Sequence, residues 1–214
     1  MSQAQAQTPP STTPPSTTPP DAPQPDAPPA RETDAAAAVA AATWMQRLDP
    51  GPLAELRRMD AGTGAPAFWR LLAWHPDTLG RRLETWMEII RILALLMPKG
   101  DPEGRPWLHK RGRRLGTVLC DGGDPQWSGP EPAFSERRLA QLLATRGPQR
   151  IIAVQRAARM LAPRLTAGSG IDTADIALAV LDPDNARRLA EPYYRRLDRA
   201  AQSAVDADSK KGAA

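Results

Sequence analysis

Apolar residues recur at helical spacing along most of the chain after about residue 34. The longest such segment is TLGRRLETWMEIIRILALLMP. Every third or fourth residue in it is large and apolar, which is the period of one face of an α-helix. We therefore predict one long helix at the centre of the core, with a stripe formed by Leu79, Leu83, Trp86, Ile90, Leu93 and Met97 and widened by Ile89, Ile92 and Leu96.

Capping residues and prolines mark the other helices. Asp49, Ser135 and Asp172 each stand in front of an apolar-periodic segment as a candidate N-cap, and prolines fall in the first turns after residues 49 and 147. A last helix is predicted from Asp182–Pro183 onward, with a kink at Pro192. No segment alternates apolar and polar residues as a half-buried strand would. The sequence therefore predicts an all-α protein.

Proline and glycine divide the chain. The segment PKGDPEGRPW separates two helical halves, and the first thirty residues hold ten prolines in repeats such as TPPSTTPP. We predict a disordered proline- and threonine-rich tail over residues 1–33 and an N-terminal helical bundle over 34–98. A linker over 99–110, a C-terminal bundle over 111–205 and a flexible tail over 206–214 complete the predicted organisation.

Several classes of protein are disfavoured by composition. Because the chain has one cysteine, it has no internal disulfide. The chain also has only two histidines, so we expect no metal site and no cofactor. No apolar run reaches membrane-spanning length, and the N-terminus lacks the start of a signal peptide. We expect a cytoplasmic protein without a membrane partner.

The formal net charge of +4 conceals a strongly basic middle. Residues 105–164 carry 12 basic and 4 acidic side chains, whereas residues 1–104 carry 9 and 12. Within this middle, the segment FSERRLAQLLATRGPQRIIAVQRAARMLAPR holds seven arginines, no lysine and one acid, Glu136. Such a concentration is the footprint of an anion-binding surface. A solvated or ion-paired face is the alternative.

Helical periodicity sorts these arginines away from the core. Val154, Ala158 and Leu161 share one face of the helix after Pro148, and Arg156 and Arg159 fall on the other. In the preceding helix, Leu139, Leu142 and Leu143 point one way, whereas Arg137 and Gln141 point the other with Arg138 beside them. Acids are missing from the i±4 positions that would neutralise these arginines. A guanidinium fork suits phosphate oxygens, so the pattern indicates contact with a nucleic-acid backbone.

Four segments in order carry a resemblance to a known family. They are WMQRLDPGPLAELRRMDAGTGAPAFWRLL, RRLGTVL, SERRLAQLLATRGPQRIIAVQRAARMLAP and NARRLAEPYYRRLD. Together they resemble the CasB small subunit of the type I-E CRISPR effector complex, Cascade, from about residue 44 to 199. The proline-rich tail has no counterpart in that pattern.

This resemblance implies a non-catalytic, all-helical protein of two bundles that binds nucleic acid through basic residues. It implies two copies per complex, in contact with the backbone and large subunits, the guide RNA and the target DNA, where they stabilise the R-loop. The matching positions are Arg58, Arg138 and Arg156, with Arg57, Arg137, Arg146 and Arg159 as neighbours. Arg113 and Arg114, from the basic cluster HKRGRR, complete the candidate set.

Other functions stay open at this point. A helical adaptor would direct its arginines at acidic proteins, and a free-standing RNA- or DNA-binding protein would bind without partner subunits. An enzyme would need clustered acids or an activated nucleophile. Asp172, Asp175, Asp182 and Asp184 lie close in sequence, but helix capping explains two of them. Cys120 has Asp121 beside it, which disfavours a thiolate. We expect no catalysis.

Overall fold

The all-α class is confirmed. A computed structural model of the chain describes residues 30–165 and 168–212, and the proline-rich segment 1–29 lies outside this part. Within the described residues there is no strand, and His109 and Ile171 form an isolated bridge. The helices are α1 (Ala30–Gln46), α2 (Pro50–Arg58), α3 (Pro66–Trp74), α4 (Pro76–Gly80), α5 (Leu83–Leu96), α6 (Leu115–Asp121), α7 (Glu136–Ala144), α8 (Gly147–Leu161), α9 (Thr173–Leu181) and α10 (Arg187–Gly212).

Helix ends differ from the prediction at both termini. α1 begins at Ala30, so residues 30–33, which we assigned to the tail, are helical. α10 continues to Gly212, so residues 206–212 are helical as well. α10 also begins at Arg187 rather than near Asp182. The reason is that Asp182 ends α9, donating its backbone N–H to the carbonyl of Leu178.

The long helix predicted from Thr78 is interrupted. α4 ends at Gly80 and α5 begins at Leu83, and Arg82 between them is not helical. Its guanidinium donates to the buried carboxylate of Asp34 on α1 at 2.6 Å. This contact ties the break between α4 and α5 to α1. Such a contact between helices cannot be predicted from local periodicity.

One continuous hydrophobic core includes both halves of the chain. α5 is central as predicted, since Trp86, Ile89, Ile90 and Leu93 have no exposed surface. It packs against α1 and α2 from its own half and against α8 and α9 from the other. The boundaries that we gave for two bundles stay a prediction.

The segment 99–110 is packed into the core rather than free. Arg105 is 4% exposed and donates to the carbonyls of Met45 and Gln46, at 3.1 and 3.0 Å, and to that of Gly100 at 2.7 Å. Leu108 is buried, and its carbonyl accepts from the N–H of Ile171 at 2.8 Å. A buried arginine is stable here because its terminal nitrogens donate to backbone carbonyls, two of which lie at the C-terminal end of α1.

α6 and α10 approach at backbone distance. A Cβ on Gly116 would overlap the carbonyl oxygen of Leu189 and would stand 3.1 Å from the backbone nitrogen of Tyr193. Pro192, inside α10, has no N–H for the carbonyl of Arg188. The Arg114 guanidinium donates to that carbonyl at 3.4 Å instead. Proline and glycine therefore produce a close, specific contact between these two helices.

Candidate nucleic-acid interface

α7 presents arginine to the outside because its apolar residues are buried. Leu139 and Leu142 are 1% and 2% exposed, whereas Arg137, Arg138 and Gln141 are exposed. Ser135 precedes the helix as predicted, but its side chain makes no capping hydrogen bond. The expected outward placement of both arginines is confirmed.

α8 repeats this arrangement beside α7. Val154, Ala158 and Leu161 are buried, whereas Arg156 and Arg159 are exposed. Arg138 and Gln141 of α7 and Arg156 of α8 line one groove of about 320 Å³, with Phe134, Ala153 and Met160 along its apolar part. Two arginines from different helices thus converge on a single concave surface.

In the part of the chain that the structure describes, these exposed arginines have no internal partners. In residues 30–165 and 168–212, no ion pair or hydrogen bond engages the side chains of Arg137, Arg138, Arg156 and Arg159. We call these four residues the α7–α8 arginine surface. Uncompensated guanidinium groups on adjacent helices can bind phosphate oxygens without first breaking an internal contact.

Arg150 departs from the pattern. It is 1% exposed, and it donates from Nε to the carbonyl of Ala179 at 2.7 Å and from a terminal nitrogen to that of Leu142. Burial, and secondarily Arg146, lowers the pKa of its guanidinium. Arg150 lies four residues before the buried Val154, so the helical period could have placed it inward.

Four of the candidate arginines donate side-chain hydrogen bonds to acceptors within the chain, namely Arg57, Arg113, Arg114 and Arg146. Arg57 donates to the carbonyls of Ala94 and Met97, each at 2.9 Å, and thereby closes the end of α5. Burial, and then Arg105, lowers the pKa of Arg57.

Arg146 pairs with Asp184 at 2.7 Å. Arg57 and Arg146 therefore already engage partners within the chain, although Arg146 is exposed, whereas Arg58 is exposed and no partner engages it in the described part. Contact of these three arginines with nucleic acid stays a prediction.

Arg113 and Arg114 hold buried carboxylates. Arg113 pairs with Asp121 at 3.1 Å, and Arg114 pairs with Asp175 at 3.0 Å. Both aspartates are almost completely inaccessible, with side-chain exposures of 0% and 1%. These two arginines of the cluster HKRGRR therefore stabilise the fold, because each neutralises a buried carboxylate whose charge would otherwise be unfavourable there.

A second concentration of arginine was missed by the sequence analysis. A groove of about 380 Å³ lies between α6 and the first half of α10. We call it the arginine groove, because its walls include Arg114, Arg187, Arg188, Arg195, Arg196 and Arg199. A signal was present, since arginine recurs on α10 in pairs eight residues apart. The near-balance of charge over residues 165–214 concealed it.

Exposed arginine alone does not distinguish a site. Arg47, Arg70, Arg81 and Arg111 are also exposed, and no partner engages them within the described residues. What distinguishes the α7–α8 arginine surface and the arginine groove is convergence, because two arginines line one concavity between α7 and α8 and six line the arginine groove.

The groups considered for catalysis have other roles. Asp172 accepts from the N–H groups of Ala174 and Gly112, and Asp182 pairs with Arg31. Burial, with Asp121 adding to it, raises the pKa of the Cys120 thiol to about 12. Among the described side chains, no three His, Cys, Asp or Glu residues are grouped to hold a metal ion. None of the helices in that part is long and apolar enough to cross a membrane.

Comparison of the chain with protein-family models, curated proteins and solved structures gave no match.

Proposed function

We propose that this chain is the non-catalytic small subunit of a type I-E, RNA-guided CRISPR surveillance complex. In this role it binds the phosphate backbone of nucleic acid and stabilises the R-loop. The observation that carries the proposal is the α7–α8 arginine surface, with Arg138 and Arg156 lining one groove and no internal partner engaging them in the described part. The ordered segments that resemble the CasB family support the placement in that complex.

The mechanism is electrostatic and independent of base sequence. Guanidinium groups on the outer faces of α7 and α8 donate to phosphate oxygens, which fix the path of a strand without reading its bases. Sequence recognition is supplied by pairing between the guide RNA and the target strand. The protein contributes a rigid helical surface, since Leu139, Leu142, Val154 and Leu161 anchor both helices in the core.

Exposed tryptophans support a role as a subunit rather than as a free-standing binder. Trp74 is 64% exposed, Trp69 on the same helix is 43% exposed, and Trp107 is 59% exposed. Large exposed aromatic side chains are enriched where one protein contacts another. We assign these residues to contacts with the backbone and large subunits or with a second copy of the chain, in a complex that acts in the cytoplasm.

Co-purification tests the assignment to a complex. A tagged full-length chain, isolated from the cells that express it, is expected to bring down several protein subunits and one class of short guide RNA. Mass spectrometry and RNA sequencing identify both. Recovery of the chain with protein partners but without RNA would favour the adaptor function. Recovery of the chain alone with heterogeneous RNA would favour a free-standing binder.

Alanine at Arg138 and Arg156 is expected to weaken binding of the assembled complex to target DNA. Each lost phosphate contact should lower the log–log slope of affinity against salt by roughly one unit for duplex and less for a single strand. The loss should be similar for unrelated targets with matching guides, because no base contact is removed. The measurement is a salt titration of target binding on complexes whose subunit composition has been verified. Arg58→Ala, tested alone, should act in the same direction.

Arg47→Ala combined with Arg70→Ala is the matched control, since both residues are exposed arginines without partners in the described residues and lie on neither α7 nor α8. This control should keep wild-type affinity and slope. The interface assignment is wrong if Arg138→Ala/Arg156→Ala behaves like the control in fully assembled complexes.

A further inference from the structure

We infer that the arginine groove between α6 and α10 binds successive phosphates of one nucleic-acid strand, and that the strand displaces Glu191 from Arg187 and Arg195 when it binds. This inference rests on the proposed function in one respect, that the chain contacts nucleic acid. It adds a second binding site, distant in sequence from the α7–α8 arginine surface, and an internal competitor for that site.

The groove has a fixed excess of positive charge. Six arginines line it, and one carboxylate, that of Glu191, lies in its wall. Two more carboxylates, Asp121 and Asp175, lie beneath it and pair with its inner arginines. Because Asp121 also pairs with Arg113 outside the groove, at least three positive charges remain uncompensated by these neighbours. A concave surface with such an excess concentrates anions more effectively than a flat one.

Buried carboxylates hold the inner arginines in place. Asp175 lies 3.0 Å from Nε of Arg114 and 2.7 Å from Nε of Arg188. Asp121 lies 3.3 Å from Nε of Arg196, whose guanidinium also stacks on Trp127 with 5.1 Å to the ring centroid. Solvent ions cannot replace these aspartates, because they are inaccessible. Each guanidinium has five N–H donors, so anchoring uses part of its capacity and leaves donors for a ligand.

The outer arginines are held by a weaker and replaceable partner. Glu191 lies 2.7 Å from Nε of Arg187 and 2.5 Å from a terminal nitrogen of Arg195. Both arginines are largely exposed, and exposed ion pairs of this kind contribute little and are screened by salt. One carboxylate divided between two arginines occupies the position that a phosphate would take. Arg199, one turn further along α10, is exposed and has no partner in the described part.

The length of the groove indicates a polymer rather than a small ion. Arg187 and Arg199 are twelve residues apart on one helix, which corresponds to about 18 Å at the ordinary helical rise. A free phosphate cannot contact both ends. A nucleic-acid strand in duplex geometry carries one phosphate per ~3.4 Å of axis, so about five phosphates span that distance. None of the described residues that line the groove is aromatic, so base stacking is not part of this proposed site.

The test is binding of a fluorescent 20-nucleotide oligothymidylate to the purified full-length chain, followed by anisotropy at several salt concentrations. Arg195→Ala combined with Arg199→Ala should weaken binding roughly tenfold, since two charge-assisted contacts are lost. Glu191→Gln should strengthen binding several-fold, because the competing charge is removed while the side-chain shape is kept. Circular dichroism verifies that each variant is folded. A 20-base-pair duplex as a second probe distinguishes a single-strand site from a duplex site.

Matched controls separate the groove from general charge effects. Glu103→Gln removes an exposed acid outside the groove, and Arg47→Ala/Arg70→Ala removes two exposed arginines outside it. The inference is wrong if Glu191→Gln binds no better than Glu103→Gln and Arg195→Ala/Arg199→Ala binds like the arginine control. It is also wrong if the wild-type chain binds neither probe, or if polyglutamate binds the groove and the oligonucleotide does not.

Failure here can be distinguished from failure of the proposed function. If Arg138→Ala/Arg156→Ala loses oligonucleotide binding and the groove variants do not change it, the α7–α8 arginine surface is supported as a binding site and the arginine groove is rejected as one. Co-purification without guide RNA would reject the proposed function whatever the groove variants show.

Discussion

Gly116→Ala is expected to lower the free energy of unfolding by about 3 kcal/mol, the upper end of the usual range for overpacking in a well-packed interior. The added Cβ would stand 3.0 Å from the carbonyl carbon of Leu189 and would overlap its oxygen. Backbone cannot move aside as the end of a flexible side chain can. α6 and α10 would therefore have to separate, and the packing of Leu189 and Tyr193 would be lost with the contact.

Urea denaturation followed by circular dichroism measures this effect. Gly51→Ala is the control, because Gly51 lies in α2, has no positive φ, and an added Cβ would meet nothing within 4 Å. Alanine there should be neutral or stabilise by a few tenths to about 1 kcal/mol. Equal stability of Gly116→Ala and Gly51→Ala would contradict the backbone-distance contact between α6 and α10.

Local pattern was sufficient for most of the helices. The apolar stripe of α5, the proline starts of α2 and α8 and the Asp172 cap of α9 are all properties of a few consecutive residues. The outward direction of Arg138 and Arg156 follows from the same periodicity, because burial of Leu139 and Val154 determines the opposite face. These features could be predicted because they depend on residues within one or two turns.

Contacts between remote segments could not be predicted in this way. Arg114 is neutralised by Asp175, 61 positions later, and Arg57 closes a helix that ends 39 positions after it. An absence of acids at i±4 therefore does not establish that an arginine is free. The inward direction of Arg150 follows from the helical period, but its acceptors on α7 and α9 could not be predicted, for the same reason.

The arginine groove could not be predicted from the net charge of its segment. Residues 165–214 are nearly neutral in sum, but the fold separates their charges. Asp182 and Asp184 pair with Arg31 and Arg146, away from the groove wall. The arginines of α10 are thereby left to meet Arg114 beside α6. Net charge over a segment is a statement about composition, whereas a binding surface depends on which side chains the fold brings together.

Asp175→Ala is expected to destabilise the protein by about 3–5 kcal/mol, the usual effect of removing one partner from a buried ion pair. Oδ1 of Asp175 lies within 3.0 Å of Nε of both Arg114 and Arg188, and Oδ2 accepts from the backbone N–H of Leu115 at 2.8 Å. Its side chain is 1% exposed. Alanine would leave two arginines without their counter-charge and the N–H at the start of α6 without an acceptor.

Asp184→Ala is the matched control. Asp184 is also an aspartate paired with one arginine, at 2.7 Å from Arg146, but its side chain is 85% exposed. Its removal should change stability by no more than about 1 kcal/mol, because water solvates both charges when the pair is absent. Urea denaturation measures the free energy of unfolding of both variants. Each variant removes an aspartate that pairs with arginine, and the two aspartates differ in that one is buried and the other is exposed. Similar stabilities would show that Asp175 is not the buried anchor of the inner arginines, and the arginine groove would then lack the rigidity that its proposed binding of a strand requires.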